Sequence, residues 1–261
     1  MSRKRQGPKI YPHGKSGCQL TTLSYNFADG EDVEEHFHHE DQLVFASTGV
    51  MTVRTNEGVW VVPPQRAVWI PGKTIHAIHM SGKVSMRTLY FAANDIKGLS
   101  KKCFVMNVSP LMRELILHCC DLSGLATKNQ KERRIIELII DHLDSRHLTP
   151  LQLPLPTDQR ARRVADLLIS DPSDQKSLDD LCRECGASKR TVERLFQEET
   201  HLSMGRWRQQ LRLLTSIERL AAGEKVTSVA LEAGYNSSSA FISAFRKVLG
   251  TTPRLYSQSP L

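Results

Sequence analysis

The feature of this sequence that most constrains its fold is an internal repeat in the C-terminal part. The first copy, SLDDLCRECGASKRTVERLF, occupies residues 177–196, and the second, VTSVALEAGYNSSSAFISAF, occupies residues 226–245. Each copy has the pattern of a short helix, a turn at a glycine and a longer helix. The repeat therefore predicts two helix-turn-helix modules in one chain.

The second copy shows why these residue types suit such a module. Ala230 is a small residue four positions before Gly234, so two helices can cross closely, and the glycine turns the chain through a conformation that other residues resist. Phe241 and Phe245 are predicted to fill the angle between the helices. The small, polar start of the last helix, at residues 238–240, is typical of a helix end that is pressed against a DNA groove. Serines are predicted as N-caps at Ser177, Ser188 and Ser237.

Ten residues of this part have the spacing of a known family signature: Ala230, Gly234, Tyr235, Ser237, Phe241, Phe245, Arg246, Gly250, Pro253 and Tyr256. The first copy has the companion residues Leu181, Gly186, Ser188, Leu195 and Phe196. Across residues 158–261 the sequence therefore resembles the AraC/XylS family of bacterial transcription regulators. Ser257 departs from the pattern, since many members have an arginine there. The resemblance implies a regulator that binds double-stranded promoter DNA, with RNA polymerase and a second copy of the chain as further candidate partners.

By position, the resemblance implies a first recognition helix at residues 188–198 and a second one after Ser237. The side chains expected to reach base edges are Lys189, Arg190, Glu193 and Arg194 in the first helix and Ser238, Ser239, Ala240 and Ser243 in the second. Arginine can bridge guanine O6 and N7, so we expect the first helix to carry most of the base specificity. The side chains expected to contact phosphates are Ser188, Arg206, Arg208, Arg212, Ser237 and Arg246. The alternative is a set of solvated helix faces, with Glu193 paired to Lys189.

A strong helical pattern at residues 203–221 joins the two copies. Its apolar face is predicted to contain Trp207, Leu211, Leu214 and Ile217. At 1.5 Å per residue, its ~19 residues span about 28 Å. Because this length is close to one DNA turn of ~34 Å, one chain is expected to engage two successive major grooves.

The part of the sequence before the repeat has a β-rich pattern. Alternating residues at 51–55, a turn at Asn56-Glu57-Gly58 and a run at 59–62 predict a hairpin. Residues 84–92 predict another strand, and several short strands without helices between them indicate a sandwich or barrel. Two helices are predicted to follow, with inward residues that include Leu111, Leu115, Ile135, Leu138 and Ile139. They either cover the open side of the barrel or pair across a dimer axis.

Polar residues in the predicted barrel have a second recognisable spacing. Gly30, His36, His38, Gln42 and Gly49 are spaced as in the first cupin motif, and Pro71-Gly72 with His76 resembles the second. Gln42 replaces the usual glutamate. One interpretation is a divalent metal held by His36, His38, Gln42 and His76. A second is an effector pocket lined by His36, His38, Gln42, Trp60, Trp69 and His76, and a third is a set of ordinary, hydrogen-bonded core residues.

The expected fold class is therefore α+β. Residues 1–18 form a basic arm, 19–146 a cupin-like sensor barrel with two appended helices, 147–157 a Pro-rich linker, and 158–261 an all-α domain with two helix-turn-helix motifs. A nucleic-acid contact by Arg3, Lys4 and Arg5 of the arm is an alternative to a solvated arm. The net charge of +7 favours an anionic partner. The scattered cysteines and the absence of a signal peptide or a long apolar run predict a cytoplasmic protein outside the membrane.

The leading hypothesis is a transcription regulator that needs no cofactor and has no catalytic residues. Its barrel would bind a small-molecule effector and shift DNA engagement by the C-terminal domain. The resemblance also suggests control of a neighbouring transporter or efflux gene. The alternatives are a cupin metalloenzyme fused to a DNA-binding module and a DNA-binding protein without an effector.

Overall fold

The fold is described from a computed structural model, which covers residues 9–10, 19–92, 100–122, 125–143, 151–174 and 176–258. The described residues form two compact units, one mainly of those up to residue 143 and the other mainly of those from residue 151 onward. The first unit is rich in strands and the second is almost entirely helical, so the predicted α+β class is confirmed. In the described ranges no helix is both long and apolar enough to cross a membrane. The predicted contacts of Arg3, Lys4 and Arg5 lie outside these ranges.

The first unit is organised around two long strands. Its strands are β1 Lys9–Ile10, β2 Leu20–Phe27, β3 Asp32–Phe37, β4 Asp41–Thr55, β5 Gly58–Val62, β6 Arg66–Ile70, β7 His76–Phe91 and β8 Phe104–Asn107. One edge of β7 pairs with β4 over nearly its whole length, and the other edge pairs with β3 and then with β2. β4 pairs in turn with β5 and β6, and β6 pairs with β8. Within the described strands the sheet is not closed into a ring, and the predicted hairpin is the β4–β5 pair.

Two helices cover one face of this sheet. They are α1, Pro110–Leu122, and α2, Gln130–His142. Their buried residues join a core that includes Leu20, Leu43, Phe45, Trp69, Leu89, Phe91, Phe104, Met112, Ile116, Cys119, Ile136 and Ile139. Of the two alternatives that the sequence left open, this packing corresponds to the covering arrangement. Pairing across a dimer axis stays a prediction.

The buried faces of these helices differ from the predicted ones. Leu111 and Leu138 were expected to face inward, but their side chains are 50% and 37% exposed. The buried positions of α1 begin at Met112, one residue later than predicted. Since one residue turns a helix by about 100°, this small difference moves a side chain from the core to the surface.

The second unit confirms the helical repeat. Its elements are β9 Gln152–Pro154, α3 Gln159–Ser170, α4 Leu178–Glu184, α5 Lys189–Thr200, α6 Met204–Ala221, α7 Val226–Glu232, α8 Ser238–Leu249 and α9 Pro253–Gln258. α4 and α5 form the first module, and α7 and α8 form the second. The predicted serine caps are present, because Ser177, Ser188 and Ser237 each accept a backbone N–H of the first turn. The turn at Gly234 has φ of +76°, a conformation that favours glycine.

The central helix α6 carries the core of this unit. The side chains of Trp207, Leu211, Leu214 and Ile217 are buried, as predicted. The rings of Phe196 on α5 and Trp207 pack edge to face, with centroids 5.2 Å apart. The apolar face of α6 is therefore the surface on which the first module is fixed.

The end of the predicted Pro-rich linker packs against α6. Leu151 and Leu153 are fully buried. The indole N–H of Trp207 donates to the Pro154 carbonyl at 2.7 Å, and the Gln210 amide donates to the Gln152 carbonyl. Residues 147–150 of the linker lie outside the described residues.

Two glycines of the sensor unit allow a direct test of its packing. A Cβ atom at Gly49, where φ is +70°, would lie 2.7 Å from the Lys83 carbonyl oxygen and 2.7 Å from Val84 Cγ2, whereas a Cβ at Gly30, where φ is +79°, would meet nothing within 4 Å. Gly30→Ala should therefore lower the free energy of unfolding by only the roughly 1–2 kcal/mol that the left-handed conformation costs an alanine. Gly49→Ala should lower the free energy of unfolding by clearly more, because the backbone at Lys83 must also move to make room for the new Cβ atom. Denaturant unfolding of both full-length variants checks this, and equal losses would contradict the packing described for Gly49.

Candidate functional site

The first candidate site is the exposed face of α5. Val192, Leu195 and Phe196 are buried, and this orientation exposes the four residues that were predicted to reach base edges, Lys189, Arg190, Glu193 and Arg194. Lys189 Nζ lies 3.1 Å from a carboxylate oxygen of Asp179, and Arg194 pairs with Glu198 one turn along the helix. Such exposed ion pairs contribute at most about 1 kcal/mol, so these side chains can exchange their partners for DNA.

The exposed start of α8 is the corresponding surface of the second module. Phe241 and Phe245 are fully buried, and the ring of Tyr235 packs on Phe241 with centroids 5.3 Å apart. This packing fixes the helix with its small polar residues outward. Ser239, Ala240 and Ser243 are exposed, Ser238 is half-buried, and Arg246 is exposed in the last turn.

The three arginines of α6 that were predicted to contact phosphates have different surroundings. Arg206 is exposed. Arg208 donates to the carbonyls of Lys176 and Asp174, the first at 3.1 Å. Arg212 donates to the carbonyls of Pro172 and Asp174, both at 3.4 Å. Arg208 and Arg212 are thus engaged by the backbone between α3 and α4.

A second candidate site lies in the sensor unit, where three imidazoles converge. The ring centroids of His36 and His76 are 4.2 Å apart, those of His38 and His76 are 5.2 Å apart, and those of His36 and His38 are 6.2 Å apart. His36 on β3 is the register partner of His76 on β7, so strand pairing places two of the rings together. All three side chains are buried. The sequence motif therefore forms a compact histidine cluster.

Each imidazole is held by a backbone carbonyl two residues away in the chain. Nδ1 of His36 lies 2.8 Å from the carbonyl oxygen of Glu34, Nδ1 of His38 lies 2.7 Å from that of Glu40, and His76 makes the same contact at 2.9 Å. A carbonyl only accepts, so Nδ1 carries the proton in each ring. Burial lowers the pKa of His36 and of His38, so both rings are favoured in the neutral form.

Gln42 connects His38 to two hydroxyl groups. Its amide lies 3.0 Å from His38 Nε2, 3.1 Å from Thr88 Oγ1 and 3.0 Å from the Tyr90 hydroxyl. With the amide oxygen towards His38, both nitrogens of that ring must carry protons. With the amide reversed, a neutral His38 accepts from the amide N–H, and the Tyr90 hydroxyl donates to the amide oxygen. The Thr88 hydroxyl, which donates to the Leu43 carbonyl at 3.2 Å, would have to give up that bond to donate to the same oxygen. The orientation of Gln42 is therefore linked to the protonation of His38.

Comparisons with known proteins give a family for each of the two units. Residues 181–259 match the family described as a helix-turn-helix domain, and residues 22–152 match the AraC-like ligand binding domain. The chain is 33% identical over 221 residues to the HTH-type transcriptional regulator NimR of Escherichia coli K12, with 85% of this chain and 81% of NimR covered. The chain belongs to the AraC family. It is thus a transcription regulator with a DNA-binding helix-turn-helix domain and a ligand-binding domain.

Other proteins are similar to this chain to different degrees. RipA of Corynebacterium glutamicum is 36% identical over 214 residues, which cover 82% of this chain and 61% of RipA. The crystal structure of ToxT from Vibrio cholerae O395 aligns with 93% of this chain and 99% of its own, at 13% identity and a TM-score of 0.39.

The structure brings together only part of the predicted effector site. His36, His38, Gln42 and His76 lie together, but Trp69 lies in the core under α1 and α2, and its indole N–H donates to the Ser100 carbonyl at 3.2 Å. The prediction that Trp69 lines the same site is wrong. Trp69 pairs with Leu43, the neighbour of Gln42, and successive residues of a strand face opposite sides of the sheet. Trp60 is buried on β5.

Sequence reasoning missed two members of this polar cluster, Thr88 and Tyr90. Thr88 and Tyr90 lie two residues from each other on β7, and Tyr90 is the register partner of Gln42 on β4. Residues at this spacing share one face of a strand, so the polar pair within an apolar run was a usable signal. Burial raises the pKa of Tyr90, which keeps its hydroxyl protonated as a hydrogen-bond donor.

The donor set of this cluster lacks the carboxylate of a cupin metal site. Gln42 supplies a neutral amide where a cupin metal site has a carboxylate, and the His38 Nε2 atom already contacts that amide. Among the described residues, no group of three or more His, Cys, Asp and Glu side chains is placed to hold a metal ion. The cluster also has the hydrogen-bonding groups that a polar recognition site needs.

The lowered pKa values of His36 and His38 predict acid sensitivity of the sensor unit. In the unfolded chain a histidine titrates near pH ~6.5, so below this pH the unfolded state binds more protons and the free energy of unfolding falls. The loss can reach about 1.4 kcal/mol per pH unit for each such histidine. Denaturant unfolding from pH 7.5 to 5.5 should show a weaker decrease for His38→Gln than for the unsubstituted protein. Identical pH dependence would show that His38 is not a buried neutral group.

Proposed function

We propose that the polar cluster of the sensor unit recognises the effector. His36, His38, Gln42 and His76, together with Thr88 and Tyr90, form a buried hydrogen-bonding surface in the domain that matches the AraC-like ligand-binding family. This buried polar cluster is the observation that carries the proposal. Its groups can exchange their mutual hydrogen bonds for bonds to a polar small molecule, and that exchange supplies orientation and specificity.

Effector binding regulates transcription only if it favours one state of the protein. A ligand shifts an equilibrium by the difference of its affinities for the two states. We infer that the effector-bound sensor changes how the C-terminal unit engages promoter DNA. A second copy of the chain is a candidate for transmitting this change, since Leu111, Leu122 and Leu138 of α1 and α2 are exposed apolar residues.

We further infer that the chain performs no catalytic step of its own. Its curated relatives are named as transcriptional regulators, and the histidine cluster has an amide, Gln42, in place of the carboxylate of a cupin metal site. RNA polymerase as a partner and a transporter or efflux gene as a target remain part of this proposal. Sequencing the fragments that the protein retains from its own genomic DNA identifies both the operator and the regulated gene.

The base-reading role of α5 predicts distinct effects of its arginines. Arg190→Ala and Arg194→Ala should each weaken operator binding by about 1–3 kcal/mol and relax the preference at one base pair. Arg206→Ala should weaken binding to all sequences alike and lower the salt dependence by about one phosphate contact. Footprinting and titration on the recovered operator at several salt concentrations check this. An unchanged footprint for the two α5 variants would exclude α5 as the main reader.

The effector role of the cluster predicts that sensing and DNA binding can be separated. His36→Ala and His76→Ala should abolish the effector response of a promoter reporter and leave operator affinity of the effector-free protein close to that of the unsubstituted chain. Thermal-shift screening of metabolites identifies the ligand, and Lys83→Ala, at an exposed position of β7, is the control that should still respond.

Elemental analysis of the purified protein distinguishes the alternatives. Stoichiometric iron with oxygen consumption would replace this proposal with the metalloenzyme, and a full response in both histidine variants would place the effector elsewhere.

A further inference from the structure

Three arginines form one stripe along α6, on a different face from its apolar core. Arg208, Arg212 and Arg219 follow at intervals of four and seven residues, which places them on one side of a helix. Arg212 and Arg219 line a cleft whose other walls come from the α3–α4 loop and from α7. The stripe therefore faces both helix-turn-helix modules rather than open solvent.

The first end of the stripe holds the first module. Arg208 and Arg212 both donate to the carbonyl of Asp174, and they reach in addition the carbonyls of Lys176 and Pro172. These carbonyls belong to the loop that leads into α4. Because several carbonyl oxygens face two guanidinium groups, the loop is fixed to α6 by hydrogen bonds to charged donors, which are stronger than bonds between neutral groups.

The middle of the stripe also contacts the second module. A Cβ atom at Gly234 would lie 2.5 Å from Nη1 of Arg212 and 3.3 Å from its Cζ, so the guanidinium packs directly against the turn between α7 and α8. One side chain thus contacts the loop before α4 and the turn before α8. Gly234 provides the space for this contact in addition to its positive φ.

The second end of the stripe holds the first helix of the second module. Arg219 pairs with Glu224 at 2.5 Å and with Glu232, at the end of α7, at 2.6 Å. The Arg219 side chain is only 25% exposed. Both modules are therefore attached to α6 by the same row of arginines.

We propose that Arg212, with Arg208 and Arg219 beside it, fixes the angle and distance between the two recognition helices and so determines the half-site spacing that the chain accepts. Arg212 is a positioning residue in this role, in place of the phosphate contact that the sequence suggested. The proposal rests on the proposed engagement of DNA by both α5 and α8.

The test compares two fragments, namely the operator recovered from genomic DNA and the same operator with one base pair inserted between its half-sites. The insertion moves one half-site by about 3.4 Å and turns it by about 34°. We expect it to weaken binding of the unsubstituted protein roughly tenfold or more, as a mismatched contact does. Arg212→Ala should bind the original operator less tightly than the unsubstituted protein does. The inserted base pair should weaken its binding by less than about threefold.

Arg212→Lys separates positioning from phosphate binding. A lysine keeps the charge but lacks the planar fork that serves two carbonyls at once, so the positioning role predicts that Arg212→Lys behaves like Arg212→Ala. It also predicts an unchanged slope of log K against log salt in both variants. Arg206→Ala is the matched control on the same helix, because an exposed arginine that binds a phosphate should lower this slope by about one. Circular dichroism confirms folding, and Arg212→Lys alone suffices if the alanine variant unfolds.

Three results would overturn the proposal. The first is that the inserted base pair weakens binding of the Arg212 variants as much as it weakens binding of the unsubstituted protein. The second is full rescue by lysine together with a lower salt slope in Arg212→Ala, which would identify a phosphate contact. The third is that the inserted base pair leaves the affinity of the unsubstituted protein unchanged. This result would show that the two modules do not bind DNA together, and it would refute the proposed engagement of two grooves.

Discussion

Burial of one face of α6 is the constraint on which the DNA-binding unit depends. Trp207 is fully buried, packs edge to face on Phe196 of α5 and donates its indole proton to the Pro154 carbonyl. A buried indole N–H without a partner would cost about 1–3 kcal/mol, so this bond also fixes the chain that enters the unit. With the apolar face committed to the core, the remaining faces of α6 are available to orient both modules.

In the sensor unit, burial favours the neutral form of His36 and His38 in the polar cluster. A glutamate at position 42 would favour a protonated His38, because a nearby negative charge stabilises the imidazolium. The amide of Gln42 has no charge and contacts a neutral ring together with Thr88 and Tyr90. A neutral amide at position 42, where the cupin motif has a glutamate, is therefore compatible with a buried, neutral hydrogen-bonding site.

The sequence was sufficient wherever a local signal determined the structure. The serine caps, the Gly234 turn and the buried Phe241 and Phe245 depend on neighbours within a few residues, so the repeat was predicted correctly. The face of Trp69 depends on which residue of β4 it pairs with, and this register is set by contacts far apart in the chain. The partners of Arg208 and Arg212 are backbone carbonyls, which every residue has, so no residue type could indicate them.

In the proposed two-groove binding mode, the attachment of both modules to one helix matters because the second module is expected to make only weak DNA contacts of its own. The serines and the alanine at the start of α8 offer little discrimination compared with the arginines of α5. Once α5 is bound, a rigidly held α8 meets the next groove at a high effective concentration, whereas a loosely held α8 loses that advantage without losing any contact. Affinity for a two-part operator then depends as much on the stiffness of the joint as on the side chains that touch DNA. In this chain, side-chain bonds to backbone carbonyls supply part of that stiffness.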